Sequence, residues 1–361
     1  MENNHQTLFD GRVPLWMEQT GPEGDIVLSS RIRLARNLSG VPFPGQADAG
    51  QLRQIGNRVS FSVQDLIDAD DSHQYQMIDM AALTEQERRI LVEKHLTSLK
   101  HVHIPANRSL IIRDDTAVSI MVNEEDHFRI QSLTAGLNLR SAWKMADETD
   151  NLLESRMGFA FTEDLGYLTS CPTNLGTGLR ASVMMHLPAL VLLGQMHRII
   201  EVSTQLGMAV RGFYGEGTEA YGNVFQVSNQ QTLGFNEMEI VNNVLSLARQ
   251  VVEQERAARR MLMSDSGEEL ADRVWRAYGI LRHARSISGQ EALGLLSAVR
   301  LGIDMGIISH LSPDVFTELI IATRSCVVVR MAQVGKMEKS ERNCLRAKLI
   351  RERIKGGQDD V

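Results

Sequence analysis

The stretch AVSIMVNEEDHFRIQSL, residues 117–133, reads as strand, turn and strand. The runs AVSIMVN (117–123) and FRIQSL (128–133) carry the β-branched and apolar side chains that suit a pleated, half-buried surface. The acidic residues between them break the pattern and mark a hairpin-like turn, so the two strands run antiparallel. Working outward, IVLSSRIRLA (26–35), SLIIR (109–113) and NVFQVSN (223–229) read as further strands. Helical periodicity covers 47–68, 84–98, 136–156, 178–205 and 236–260. This pattern predicts an α+β fold, an antiparallel sheet flanked by helices.

After residue 256 the strand signals vanish. Ser266 with Glu269, and Ser288 with Glu291, form capping-box patterns before apolar runs. Ser312-Pro313 reads as the start of another helix, and 338–355 as a last, highly charged one. The expectation is a catalytic-type domain over 1–256 and an all-α C-terminal domain over 257–361.

The chain has 361 residues, 43% apolar and 23% charged, the balance of an ordinary globular protein with room for two cores. Its net charge of -7 argues against direct nucleic-acid binding, which wants a basic excess. Three widely spaced cysteines (Cys171, Cys326, Cys344) make no disulfide framework or zinc site, and point to a reducing cytoplasm. The N-terminal segment lacks the features of a signal peptide, and the longest apolar run, LPALVLLG (187–194), is too short to span a bilayer. No membrane association is expected.

Chemistry concentrates in four segments. In SSRIRLAR (29–36), Arg31 and Arg33 share one strand face, a repulsive arrangement usually tolerated when an anion lies between. VNEEDHFRI (122–130) places Glu124 and Glu125 in the turn and Arg129 on the strand after it. CPTNLGTGLR (171–180) has small residues that let backbone N–H groups approach a phosphate, and ends on Arg180. It is neither a Walker A loop nor a hydroxyl-kinase glycine loop. RGFYGEGTEAYGNVF (211–225) is glycine-rich and carries Arg211, Glu216 and Glu219. Five arginines at strand ends and in glycine-rich loops, without a Walker lysine, form a coherent means of neutralising a triphosphate through bidentate guanidinium forks.

Taken in order, VLSSRIR, NEEDH-x-R, CPTNLGTGLRA and RG…GE…SN…LG resemble the phosphagen (guanidino) kinase catalytic domain over 24–255. Within that superfamily, RNCLRA (342–347) makes the chain similar to the bacterial protein arginine kinases of the McsB type. The resemblance implies ATP-dependent phosphorylation of arginine side chains. Glu125 would be the base that orients and deprotonates the guanidinium, with Glu124 as the alternative in the acidic run and Glu216 as a second clamp. ATP would meet Ser29, Ser30, Arg31, Ile32 and Arg33; His95 and Arg129; Gly176, Thr177, Gly178, Leu179 and Arg180; and Arg211, Gly212, Phe213, Tyr214 and Gly215. Mg2+ would be held by phosphates and water, with no protein ligand cluster. Cys171 would sit beside the guanidino substrate.

In relatives that act on small guanidino compounds a helical domain precedes the SSR-x-R strand. Here Ser29 stands near the start, so an open site suited to protein substrates with exposed arginines is expected. The C-terminal domain would bind phosphoarginine through Arg342, Asn343 and Arg346 and support a homodimer. The family motif has aspartate where Asn343 stands, so a weakened or altered second site is expected. The resemblance further implies tagging for Clp-type proteolysis, regulation of a stress-response repressor, and an activator protein. Two other readings remain: a kinase of free arginine or another small guanidino compound, and a non-catalytic phosphoarginine adaptor.

Overall fold

The computed structural model describes residues 8–10, 12–18, 20–69, 73–212, 220–333 and 337–354, the side chains of 61–69 excepted. Eight strands form one sheet: β1 (Val27–Arg36), β2 (Tyr75–Asp79), β3 (Ser109–Arg113), β4 (Val118–Val122), β5 (Phe128–Ala135), β8 (Leu179–His186), β9 (Met208–Gly212) and β10 (Val224–Asn229). Their order is β2-β3-β4-β5-β1-β8-β10-β9, with every pairing antiparallel. A small hairpin, β6 (Phe161–Thr162) with β7 (Gly166–Tyr167), stands apart.

The helices are α1 (Ala49–Ala69), α2 (Glu85–Glu93), α3 (Leu99–His103), α4 (Leu139–Met157), α5 (Pro188–Leu192), α6 (Met196–Gln205), α7 (Glu237–His283), α8 (Gly289–Asp304), α9 (Asp314–Ala322), α10 (Ser325–Met331) and α11 (Lys339–Ile354). None of the helices among the described residues is long and apolar enough to cross a membrane.

The strands expected at 26–35, 109–113, 117–123, 128–133 and 223–229 are present within one or two residues. The helix expected over 178–205 is not. Residues 179–186 form β8, and only 188–192 and 196–205 are helical. LRASVMMH is made largely of good helix formers, but it lies between β1 and β10 and is buried on both faces, so no alternation marks it as a strand. The edge strands β2 and β9 were not anticipated. The 84–98 helix stops at Glu93, where the chain turns through a left-handed His95 (φ 62°) before α3.

Ser288 and Glu291 form the expected capping box on α8. Ser266 instead breaks α7 from inside (φ −148°, ψ 37°), its hydroxyl donating to the Leu262 carbonyl. Helix α7 thus runs straight past residue 256. Buried side chains on both sides of the break, among them Val244, Val251, Leu270 and Val274, belong to one continuous apolar core.

The sheet has two unlike faces. Because side chains alternate, Ile32 and Leu34 of β1, Ile130 of β5 and Val183 of β8 enter the core beneath α4 and α7, each essentially inaccessible. Arg36 shares that face and is 1% exposed. Its guanidinium donates twice to Asp150 Oδ2 on α4 (3.0 and 2.7 Å) and to the carbonyls of Ala35 and Thr177 (3.0 and 2.9 Å). It also lies 3.6 Å from the centre of the Tyr167 ring. One buried side chain therefore ties β1, α4, the small hairpin and the 171–178 loop together.

Gly178 completes the joint. It has φ 63°, and a Cβ there would stand 2.6 Å from the Ala35 carbonyl oxygen and 2.6 Å from an Arg36 nitrogen. Gly178→Ala is expected to lower the free energy of unfolding by about 1–3 kcal/mol, read as a lower urea midpoint.

Candidate active site

The second face of the sheet is the unusual one. Alternation on β1 directs Ser29, Arg31 and Arg33 to it. Across the register lie Leu133, Gln131 and Arg129 on β5, and Met184, Ser182 and Arg180 on β8. Beyond β8, Ser228 and Gln226 of β10 continue the surface, and Arg211 of β9 sits opposite Gln226. Arg33 and Arg180 face each other directly.

Four guanidinium groups thus crowd three adjacent strands. Burial, then Arg129 and Arg180, bring the Arg31 pKa down to about 10. Burial and its three arginine neighbours hold Arg33 well below the ordinary range, with Glu124 acting the other way. Arg180 is lowered by burial, Arg211 and Arg129. Arg31 donates to Gln226 Oε1 (2.7 Å) and Arg180 to Ser228 Oγ (3.3 Å). The Nε atoms of Arg33 and Arg180 are buried with no acceptor among the described residues. A buried, charged donor without a partner is costly. An anion with several oxygens would supply the acceptors that these donors lack.

His95 reaches the same face. With Ser29, Arg31, Ser182, Gln226 and Trp16 it lines a small cavity. Its carbonyl accepts a 2.8 Å hydrogen bond from Gln131. Burial and the charges of Arg324 and Arg31 hold its ring neutral, with a pKa near 3.

The acidic turn abuts this surface because Arg129 opens β5. Glu124 is 4% exposed and accepts from Arg129 (2.8 Å) and from Ser98 Oγ. Burial raises its pKa, but Arg129 and Ser98 outweigh that and leave it below the usual range. Glu125 is different: its side chain is 32% exposed, and its charged neighbour is Lys100 Nζ at 3.3 Å. Asp126 accepts from Asn37 Nδ2 and Ser170 N, both at 2.6 Å. Ser170 Oγ donates to the Glu125 carbonyl (2.8 Å). These bonds bring Cys171, half-buried, to the edge of the turn.

Ser30, Ile32 and Leu179 turn to the core face, as alternation requires, so their side chains take no part in the anion face. The Thr177 N–H is used by Thr232 O (3.2 Å) and that of Leu179 by Thr177 Oγ1 (3.3 Å). Gly176 has φ 105° and packs on the Thr232 carbonyl. The described work of these glycines is close backbone packing, which places Arg180. Phe213, Tyr214, Gly215 and Glu216 lie outside the described residues; Gly212 ends β9. Gln131, Ser182, Gln226 and Ser228 were missed, although the first two stand two residues beyond an arginine and so on its face.

Arg342, Asn343 and Arg346 form a separate cluster on α11. Arg346 is 2% exposed and donates to the carbonyls of Thr323 (2.7 Å) and Ile287 (3.0 Å) and to Asn343 Oδ1 (2.7 Å). Arg342 donates to the Met337 carbonyl (2.8 Å). Among the described residues, a group of metal-ligating type, His73 with Asp114 and Asp115, lies at the β2–β3 edge, where Arg113 already holds both Asp115 oxygens.

An arginine-lined antiparallel sheet beside an accessible carboxylate is the arrangement of a guanidino phosphotransferase. Residues 54–258 match the family model described as ATP:guanido phosphotransferase, C-terminal catalytic domain. Solved structures with the same fold include the duplicated taurocyamine kinase of Schistosoma mansoni with bound transition-state-analogue components (28% identity, TM-score 0.59, 70% of this chain). This chain spans 37% of that duplicated one. A lombricine kinase matches at 26% identity and TM-score 0.57, covering 69% of this chain and 72% of the other.

Residues 267–360 match the model described as protein-arginine kinase McsB C-terminal domain. The protein-arginine kinase of Desulforamulus reducens is 47% identical over 94% of this chain and 95% of its own. That of Bacillus velezensis is 49% identical over 94% and 93%. The chain belongs to the protein-arginine kinase family.

His127 of the NEEDH motif is a structural residue. Its Nδ1 accepts from Leu38 N (3.1 Å), and its Nε2 lies 3.1 Å from the Pro42 carbonyl. Burial lowers its pKa to about 4, the Pro42 carbonyl opposing and Arg58 assisting. A histidine neutral when folded and protonated at about 6.5 when unfolded favours folding above pH 6.5 and loses that contribution as pH falls toward 4. Between pH 7 and 5, wild type is expected to lose up to about 2 kcal/mol more stability than His127→Gln, measured by urea unfolding at each pH.

Proposed function

We propose that this protein transfers the γ-phosphoryl group of ATP to arginine side chains of proteins. The supporting observations are the buried Arg33 and Arg180 Nε donors without acceptors among the described residues, the Glu124–Arg129 pair that joins the acidic turn to them, and the more accessible Glu125 next to Glu124 in that turn. A guanidinium is a poor nucleophile because its lone pairs are delocalised and its pKa lies above 12. Glu125 accepts a proton from the terminal nitrogen and aims it. That nitrogen forms a bond to Pγ as the bond from Pγ to the bridging oxygen breaks, and ADP leaves. Arg31, Arg33, Arg129, Arg180 and Arg211 offset the charge on the phosphates and on the transferring group. Mg2+, held by phosphates and water, would add charge neutralisation. Glu124 is the anchor of Arg129, which favours Glu125 over it as the base.

Glu216 as a second clamp, Cys171 beside the acceptor, and His95 near the base or ribose complete the reading. A cytoplasmic homodimer, an activator protein, Clp-type degradation of the modified proteins and control of a stress-response repressor belong to the same proposal, by family resemblance. Arg342, Asn343 and Arg346 would bind phosphoarginine.

With ATP, Mg2+ and an arginine-rich protein, wild type is expected to produce acid-labile phosphate on arginine, identified by mass spectrometry. Glu125→Gln should lower kcat by about 10²-fold or more. Phosphate on free arginine alone would move the acceptor to small guanidino compounds. At the second site, Asn343→Asp restores a charge opposite a guanidinium and should tighten phosphoarginine binding about five-fold. Unchanged affinity by calorimetry would remove Asn343 from that role.

A further inference from the structure

Lys100 has no part in the reaction as described, yet among the described residues it is the cation that pairs with Glu125. It reaches the carboxylate from α3, a five-residue helix whose place is fixed. Ser98 caps α3 by accepting from His101 N (3.0 Å), and its hydroxyl donates to Glu124. The Arg108 guanidinium donates to the Lys100 and His101 carbonyls (2.5 and 3.2 Å) and to the Glu124 carbonyl (3.4 Å). Helix α3 and the acidic turn are thus cross-linked twice, and the root of Lys100 stays beside the catalytic carboxylate.

The tip is another matter. The Lys100 side chain is 59% exposed, and an ion pair so open to water is weak. A lysine holds one carboxylate oxygen as a mobile point charge; a guanidinium can take both oxygens at once. An incoming arginine therefore displaces Lys100 from Glu125 at little cost. The ammonium group then remains at the rim of the site, uncompensated, next to whatever residues flank the target arginine.

We propose that Lys100 is a specificity-determining residue: it occupies Glu125 until the substrate guanidinium displaces it, and then favours target arginines flanked by acidic side chains over those flanked by basic ones. This rests on the assignment of Glu125 as the carboxylate that receives the guanidinium.

The test uses the full-length enzyme and two peptides that share one arginine, flanked on both sides by aspartate in one and by lysine in the other. Wild type should show a kcat/KM ratio favouring the aspartate peptide by about two- to five-fold, shrinking with added salt. Lys100→Glu should move that ratio toward the lysine peptide by about four-fold or more. A smaller movement, or no preference in wild type, overturns the proposal. Lys100 is exposed, so the variant should fold, and an unchanged KM for ATP confirms it. Glu125→Gln on the same peptides separates the two claims. Retained turnover there would overturn the role of Glu125, whereas the Lys100 result is read from the peptide ratio alone.

Discussion

Repulsion among four guanidinium groups is the constraint around which this protein is organised. Arg31, Arg33, Arg129 and Arg180 project from three neighbouring strands into a half-buried space, and two of their Nε atoms lack acceptors among the described residues. Such an arrangement is costly until an anion arrives, so the backbone beneath must not relax to separate the charges. The sheet supplies that rigidity. β1 and β8 lie at its middle, paired on both edges, and their opposite faces are locked into an apolar core. An anion bound there would offset that repulsion without moving the backbone, the condition for a preorganised electrostatic site.

The acidic turn answers the same field in two ways. Glu124 is buried against Arg129 and offsets part of the positive charge permanently. Glu125, one residue on, is more exposed and pairs with Lys100. Adjacent carboxylates thus meet different surroundings: burial, Arg129 and Ser98 for Glu124, and Lys100 at a more open position for Glu125. The backbone carbonyls of Glu125 and Glu124 accept from Ser170 and Arg108 respectively, and Asn37 accepts from the His127 N–H at the end of the turn.

The sequence made much of this legible. The Arg31 and Arg33 pair was readable because a strand has period two, and the hairpin around 117–133 because a polar turn separates two β-rich runs. Burial on both faces hid β8, since alternation disappears when neither side meets solvent. The different burial of Glu124 and Glu125 depends on tertiary packing and could not be read from the run itself. The glycines of 171–180 were conspicuous, but their observed partners are the Ala35 and Thr232 carbonyls, contacts that no local pattern announces. The Arg36–Asp150 joint and the Lys100–Glu125 pair are likewise long-range in sequence or loop-borne, and carry no periodicity.

Helix α7 gives the molecule a property beyond its packing. It belongs to both family-matched segments and feeds side chains to one core on each side of Ser266. A helix transmits angle as well as length. Each residue inserted before the break would turn everything after it by about 100° and advance it by about 1.5 Å. Loops absorb such changes; this element cannot. The spacing between the arginine face and the RNCLRA helix is therefore a geometric registry, and chain-length variation among relatives should fall in the connecting loops and leave the count of residues along this helix unchanged.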